Sequence, residues 1–553
     1  MEGKVTVKFR DGKEQMYPVG TMLLSIARQE EASGEFPIVA AKVDNDLHDL
    51  QSRLETDCMI EFVRLNSDEG MKVYQRSLTF VMIAAAHEVF SGGKITVEHS
   101  LSKGLYCELH VERDITKQDI EKIKARMTEL IKQQIPIQRQ VYPTEEAIQL
   151  FEAAGEKEKV KLLKQLKREK VSIYYLGNLF DYFYGTMVPN TSYLNCFDIT
   201  FYPPGFILRF PEKDSPTKLP EFVVQPKLAR VFREAEVWAE IMECDYVAKL
   251  NEMVYTGKSA ELIRIAEALH EKKIAQIADY IAQHRKEVRI ILVAGPSSSG
   301  KTTFAQRLNI QLRVNGVRPI PISLDDYFVD RTKTPRNTDG TVDFESIEAI
   351  DLKLFNEHLT RLLEGERVEL PIFDFATGQR VYTGNSVSVL KDQPLIIEGI
   401  HGLNERLTRA VPREQKVKIY ISALTQLSID SHNRIPTTDT RLLRRIVRDN
   451  QFRAHDALNT LRLWPAVRSG EDQNIFPFQE EADIMFNSAL LYELGVLKKY
   501  AQPLLQQVAY TDPEYSEAKR LLNFLEYFEN IEEAEVSPNS ILREFIGKSC
   551  FYA

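Results

Sequence analysis

The sequence predicts a multidomain protein: two small α+β modules, a helical connector, then an α/β domain with a mostly parallel sheet. Three observations lead there. At 553 residues the chain is too long for one hydrophobic core, given roughly 150 residues per domain. Before residue 288, short alternating strands and amphipathic helices come in mixed order. After it, apolar strands alternate regularly with helices, as in a parallel sheet covered on both faces.

The elements follow in order. In residues 1–64, the stretch 5–9 (VTVKF) alternates as a strand does, and Asp11-Gly12 is a hairpin turn signal. A short helix is expected over 22–29 and strands over 40–43 and 59–63. In residues 65–225, 78–90 reads as an apolar helix and 120–133 as an amphipathic one. A charged helix over 144–170 ends in the basic run Lys157–Lys170, and aromatic strands such as 197–202 follow. The Pro-rich stretch 211–226 reads as a linker. Residues 226–287 form a helical connector, with Leu262, Ile265, Ala266 and Leu269 on one face. In residues 288–510, strands are expected over 288–294, 318–324, 394–398 and 416–421, with a helix from Lys301. Residues 511–553 make a C-terminal helical extension.

Hydrophobic residues are 43% and charged residues 27% of the chain, with a net charge of -9. That balance is ordinary for a soluble protein and argues against a surface dominated by nucleic-acid attraction. Cys58, Cys107, Cys196, Cys244 and Cys550 are widely spaced, which predicts free thiols rather than a disulfide framework or a zinc site. The N-terminus lacks the apolar stretch of a secretory signal, and the apolar run 80–86 is too short to cross a bilayer. These features predict a cytoplasmic protein with no membrane association.

The chemistry concentrates in the second half. Gly295, Pro296, Ser297, Ser298, Ser299, Gly300, Lys301 and Thr302 match the phosphate-binding loop pattern, and Thr303 continues into the helix. The glycines let backbone N–H groups turn inward at a helix N-terminus. Lys301 reaches the β- and γ-phosphates, and the Thr302 hydroxyl suits Mg²⁺. The next strand ends in Ser323-Leu-Asp-Asp-Tyr-Phe328 on the same sheet edge. There Asp325 reads as the group that accepts a hydroxyl proton during phosphoryl transfer. The alternative for Asp325 is a helix N-cap; Asp326 is assigned to capping or to Mg²⁺-bound water. Glu398 ends an apolar strand, either as a Mg²⁺ ligand or in a structural ion pair. Arg441, Arg444, Arg445 and Arg448 fall at i, i+3, i+4 and i+7, either as a phosphate clamp or as a solvated basic face.

With those residues placed, the second half resembles the uridine–cytidine kinase family, within the uridine kinase and phosphoribulokinase group. The matching pieces are Gly295–Thr302, Ser323–Phe328, Pro371-Ile-Phe-Asp-Phe375, Ile397-Glu-Gly-Ile400, Thr440–Asp449 and Ala482-Asp-Ile484. The resemblance implies transfer of a phosphoryl group from ATP or GTP, with Mg²⁺, to the 5′-hydroxyl of a nucleoside, uridine or cytidine being favoured. It makes Asp325 the base, with Lys301, Arg445 and Arg448 catalytic. Residues 295–303 would hold the donor, and Thr302 and Glu398 the metal. Tyr327, Glu345, Phe373, Arg448 and Arg453 would meet the acceptor. The base pocket departs from the family's Tyr-Asp-Phe-x-x-His: here it is Phe373-Asp-Phe-Ala-Thr-Gly378. Losing base-reading hydrogen bonds loses discrimination, so a purine nucleoside or another small alcohol also fits. A sugar-phosphate kinase, and an RNA-associated nucleotide-binding regulator, are the alternatives.

The first half resembles the N-terminal part of threonyl-tRNA synthetase. Residues 1–64 look like its TGS domain, a β-grasp module. Residues 65–225 look like its editing domain, with Val188-Pro-Asn190 as a local match. Where that domain carries His-x-x-x-His and Cys-x-x-x-His, this chain has Arg76, Phe80, Phe183 and Met187, which implies neither deacylation nor metal binding. This half is expected to regulate the second, to bind RNA, for which the Lys157–Lys170 run is the candidate, or to mediate assembly into a homo-oligomer. RNA binding is the less favoured expectation.

Overall fold

The computed structural model describes residues 3–31, 34–336, 340, 342–374 and 377–551. Its first module holds strands β1 (Lys4–Phe9), β2 (Glu14–Pro18), β3 (Ile38–Val43), β4 (Asp46–His48) and β5 (Cys58–Arg64), with helix α1 (Leu23–Glu30). They form one mixed sheet in the order β2-β1-β5-β3-β4, with β1 parallel to β5. Alternation along β1 puts Val5, Val7 and Phe9 inside, against Leu23 and Ile26 of α1.

The second module opens with helix α2 (Asp68–Val89), which starts ten residues earlier than the apolar stretch alone suggested. Ser67 explains the early start: its side chain accepts the Gly70 N–H as an N-cap. Strands β6 (Lys94–Leu101) and β7 (Gly104–His110), helix α3 (Lys117–Lys132), strand β8 (Ile137–Pro143), helices α4 (Thr144–Ala154) and α5 (Lys157–Gln165), and strands β9 (Lys170–Leu176), β10 (Leu179–Tyr182), β11 (Asp198–Tyr202) and β12 (Gly205–Arg209) complete it. Two antiparallel sheets result, β10-β9-β8 and β11-β12-β7-β6. The single helix expected over 144–170 is instead two helices and the start of a strand. Gly155 breaks it, with a φ of 78° that ends α4 in the left-handed region.

The connector is α6 (Pro226–Ile241), α7 (Val247–Tyr255) and α8 (Ser259–Gln283). Its buried face differs from the expected one. Leu262, Ile263, His270, Ile274, Ile277, Ala278 and Ile281 face inward, while Ile265 is 38% exposed.

The α/β domain comprises β13 (Ile290–Ala294), α9 (Lys301–Val314), β14 (Ile320–Ser323), α10 (Leu352–Leu363), β15 (Val368–Asp374), β16 (Gln379–Val387), β17 (Leu395–Glu398), β18 (Lys416–Ser422), α11 (Thr437–Arg453), α12 (Ala457–Asn474), β19 (Ile484–Asn487) and α13 (Glu493–Leu505). Its sheet runs β14-β17-β13-β18-β19, and every pairing in it is parallel. Both faces of β13 and all of β18 are buried, as a sheet covered on both sides demands. The antiparallel pair β15–β16 stands outside it. Helices α14 (Tyr515–Leu525) and α15 (Arg543–Ile546) follow.

The extension is part of the main core. One cluster joins Phe151, Ile173 and Tyr182 of the second module, Leu262 and Ile274 of the connector, and Ile291 and Phe304 of the α/β domain. The same cluster includes Leu521, Phe524 and Ile541 of the C-terminal segment. Among the described residues no helix is long and apolar enough to cross a membrane.

Candidate active site

Parallel pairing fixes where the chemistry can gather. Glu398 at the end of β17 lies in register with Val293 of β13 on one side and Ser323 of β14 on the other. The phosphate loop, Asp325 and Glu398 therefore emerge from one edge of the sheet. Thr302 Oγ1 donates to the Glu398 carboxylate, 3.3 Å from both of its oxygens. Burial, with Asp325 and Glu544 nearby, pushes the Glu398 carboxyl up to about 7, against the pull of Lys301 and Thr302.

Asp325 opens onto solvent but is enclosed by protein on its other sides. Burial raises its carboxyl above the ordinary range, and Lys301, Arg453 and Arg448 pull the other way. Glu345 stands in the same field. Burial first, then Glu471 and Asp325, push it up to about 7, while Arg445 and Lys301 oppose. Asp325, Glu345, Glu398, Lys301, Arg445, Arg448 and Arg453 are thus electrostatically coupled near the loop, the four cations each acting on at least one of the three carboxylates. Asp326 points elsewhere and accepts the Phe373 N–H at 3.3 Å.

The arginine stripe divides in two. Arg441 and Arg444 are 1% and 0% exposed, so they are neither a solvated face nor free phosphate clamps. Arg441 is forked onto Glu471, with Nη2–Oε2 at 2.6 Å, and donates to Ser297 O at 3.2 Å. Arg444 donates to Glu493 at 2.6 Å and to Ser298 O at 3.2 Å. These two hold the phosphate loop from beneath. Arg445 reaches the loop's outer side, donating to Ser297 Oγ at 2.9 Å. Arg445, Arg448 and Arg453 all pair with the buried Asp449.

Two expected acceptor contacts are corrected. Tyr327 is 1% exposed. Its ring meets Phe355 edge-on at 5.0 Å, and its hydroxyl lies 3.2 Å from His358 Nδ1. It belongs to the core under β14. Phe373 is 4% exposed and stands edge-on to Phe328 at 5.6 Å, so its ring offers little face for stacking. Of the same segment, Phe375 and Ala376 lie outside the described residues. Gly378 adopts a φ of 71°, and a Cβ there would fall 2.8 Å from Arg331 Cβ. The local backbone has no room for a histidine at that position.

Two contributors were not foreseen. Glu471 accepts the Ser297 N–H at 2.9 Å, and Glu544 accepts the Thr303 N–H at 3.0 Å. Both carboxylates sit on donors of the phosphate loop and of the start of α9, where a helix end attracts anions. Ile541 lies over Gly300, whose added Cβ would come within 2.4 Å of its Cγ2. Nothing local in the sequence signals these contacts, because Glu544 lies 241 residues from Thr303.

In the first half, of the four positions, Phe80, Phe183 and Met187 are packed interior and Arg76 is half-buried. Phe80 and Phe183 lie 5.3 Å apart, Met187 is 2% exposed, and Arg76 donates to Thr186 O at 2.7 Å. The Lys157–Lys170 run is largely neutralised. Lys159 is buried between Asp181 (2.6 Å) and Asp430 (3.5 Å). Lys161, Lys164, Lys167 and Arg168 pair with Glu252, Glu152, Glu529 and Glu526.

Residues 290–491 match the model of the phosphoribulokinase / uridine kinase family. The chain carries a P-loop kinase domain of that family. Its N-terminal region matches threonine–tRNA ligases instead. One from a Geobacter species is 31% identical over 197 residues, 36% of this chain and 31% of that one. One from Symbiobacterium thermophilum is 32% identical over 200 residues, again 36% and 31% of the two chains. The chain thus spans about a third of these relatives' length. Among solved structures, one described as a possible uridine kinase from Bacillus stearothermophilus is 20% identical. It covers 38% of this chain and 97% of its own, with a TM-score of 0.25. A D-glycerate 3-kinase from Cryptococcus neoformans var. grubii is 13% identical, covering 50% and 87%, with a TM-score of 0.22.

Proposed function

We propose that this protein transfers the terminal phosphoryl group of ATP or GTP to a small alcohol, most simply the 5′-hydroxyl of a nucleoside such as uridine or cytidine. The observation that carries this reading is the position of Asp325. It faces solvent at the mouth of the phosphate loop, with Lys301, Arg448 and Arg453 acting on it. A carboxylate raised by burial is a stronger base than one in water, and the neighbouring cations favour its ionised form.

The roles follow from the chemistry. Backbone N–H groups of residues 295–303 cradle the triphosphate, and Lys301 binds the transferring end. Asp325 orients the acceptor hydroxyl and takes its proton as the new P–O bond forms and the diphosphate leaves. Arg445, Arg448 and Arg453 neutralise charge on the transferred group. Glu345 is placed to orient the acceptor. Thr302 and Glu398 fit Mg²⁺: two hard oxygen donors lie side by side, and the Glu398 carboxylate is pushed up by burial and then by neighbouring negative charge. A bound Mg²⁺ would supply charge neutralisation at the phosphates, keeping most of its other ligands as water and phosphate.

Asp325→Asn should leave nucleotide affinity nearly unchanged and lower turnover by about 10² or more. Turnover like that of the wild type would overturn the base assignment. The first half, as a TGS-like and an editing-like pair of domains, is proposed to brace and regulate the kinase rather than to bind RNA. The carboxylate partners along the Lys157–Lys170 run support that preference.

A further inference from the structure

One loop of the α/β domain is gripped by the first half of the chain. Residues 423–436 connect β18 to α11, and their middle closes into a tight turn. Ser428 bridges Arg434, and the Ile429 N–H donates to Asn433 O at 2.8 Å. Asp430, 1% exposed, fills the turn. It accepts the His432 and Asn433 N–H groups at 2.8 and 2.9 Å.

Polar contacts cross from the second module to this turn. Lys159 of α5 lies between Asp181 of β10, at 2.6 Å, and Asp430, at 3.5 Å. His432 Nδ1 lies 2.5 Å from Asp181 Oδ2. Asn433 Nδ2 donates to Tyr182 O at 2.9 Å. The Val97 N–H, at a bulge in β6, donates to Ser431 O at 2.8 Å. The connector adds the Val247 N–H, which donates to Ser428 O at 2.9 Å. Leu427, Ile429 and Ile435 share an apolar cluster with Ile173, Tyr182 and Val247. A buried ion pair gains little net stability, because desolvation offsets the attraction. Here each charged or amide side chain is instead oriented by a partner across the seam.

We propose that this turn is a clasp through which the second module sets the position of α11, and with it the phosphate loop. Lys159 and Asp181 are then positioning residues. Among the described residues, neither shares a hydrogen bond or ion pair with the loop they position. The link between clasp and loop is short and stiff. Pro436, at the N-cap of α11, has a φ of -65° fixed by its ring. The Thr425 and Thr440 hydroxyls meet at 2.8 Å across the base of the loop. Just beyond, Arg441 and Arg444 donate to Ser297 O and Ser298 O, and Arg445 to Ser297 Oγ. A displaced turn therefore displaces the side chains that hold the phosphate loop. The clasp rests on the bracing role proposed for the first half and gives that role a route.

Amide hydrogen exchange on the full-length protein tests the clasp without a substrate. Asp181→Asn keeps the side-chain shape and leaves Lys159 its Asp430 partner, so the variant should fold. Asn433→Ala breaks the seam at a second point without removing a charge. We expect each to speed exchange of the amides of residues 297–303 about threefold or more. Residues 38–64 of the first module should exchange as in the wild type. Lys161→Ala, in the same helix but paired with Glu252 at the surface, should leave both regions unchanged. Mg·ATP affinity, titrated on the same variants, should fall as loop exchange rises. Unchanged exchange at 297–303 in both variants, or an equal rise along the whole chain, overturns the proposal; the contacts would then only hold folded modules together. A loosened loop in a protein that binds no Mg·ATP would uphold the clasp and refute the nucleotide-binding reading, so the two fail separately.

Discussion

Glu471 holds three groups at once: the Arg441 guanidinium, the Arg468 guanidinium at 2.9 Å and the Ser297 N–H at 2.9 Å. It is 0% exposed, so removing it strands a buried cation. Glu471→Ala should therefore destabilise the protein by about 3–5 kcal/mol, read as a lower urea midpoint; a change near zero would contradict this role. Glu345 gives a pH signature. Its folded carboxyl is pushed up to about 7 from an ordinary 4.5. Between those values the folded protein keeps a proton that the unfolded chain has shed, so stability falls as pH rises through that window. Glu345→Gln should flatten that fall, measured as Tm from pH 4.5 to 7.5; identical slopes would refute it. At this scale the sequence showed Asp325 and Glu398 clearly, because each sits at or just past the end of an apolar strand. It could not show that Arg441 and Arg444 are internal struts, since their partners lie 30 and 49 residues downstream. Nor could it show that Tyr327 and Phe373 turn inward, which packing against Phe355 and Phe328 decides.

At the level of elements, strand–helix alternation made the parallel sheet legible, because both faces of its strands are buried and so read as apolar runs. Helix boundaries were less legible. Glycine at 155 outweighed a continuous charged pattern, and an N-cap at Ser67 lengthened α2 beyond its apolar part. The buried face of α8 was misplaced because a periodic pattern fixes a stripe only to within a residue or so, and the neighbours choose its centre. The start of α9 carries the most testable contact. Glu544 places a carboxylate on the Thr303 N–H, where a phosphate would compete with it. Glu544→Gln should strengthen Mg·ATP binding about two- to fivefold by removing a like charge from the helix end. Equilibrium titration reads this, and equal or weaker affinity in the variant would count against competition at that N–H.

The whole molecule is joined by more than covalent linkage. Lys519 pairs with Asp46 of the first module at 2.7 Å, Lys72 with Glu517, and the Tyr182 and Tyr527 hydroxyls meet at 2.5 Å. The C-terminal segment thus ties both synthetase-like modules to the kinase domain, and its apolar residues share a core with the second module and the kinase domain. Removing residues 511–553 should expose that core and leave a chain that is insoluble or unfolds without cooperativity. A truncated protein with a sharp thermal transition near that of the full chain would contradict this. Domain order was readable from composition and motif. The docking was not, because its contacts join residues hundreds of positions apart.

The central claim is that Asp325 at the phosphate loop transfers a phosphoryl group to a small hydroxyl acceptor. The most direct measurement gives the full-length protein γ-labelled ATP and Mg²⁺ with a panel of nucleosides and follows label into product, alongside Asp325→Asn. The account predicts a labelled 5′-monophosphate from at least one nucleoside, falling about 10²-fold or more in the variant. No labelled nucleoside from any member of the panel, or equal transfer by the variant, would contradict it.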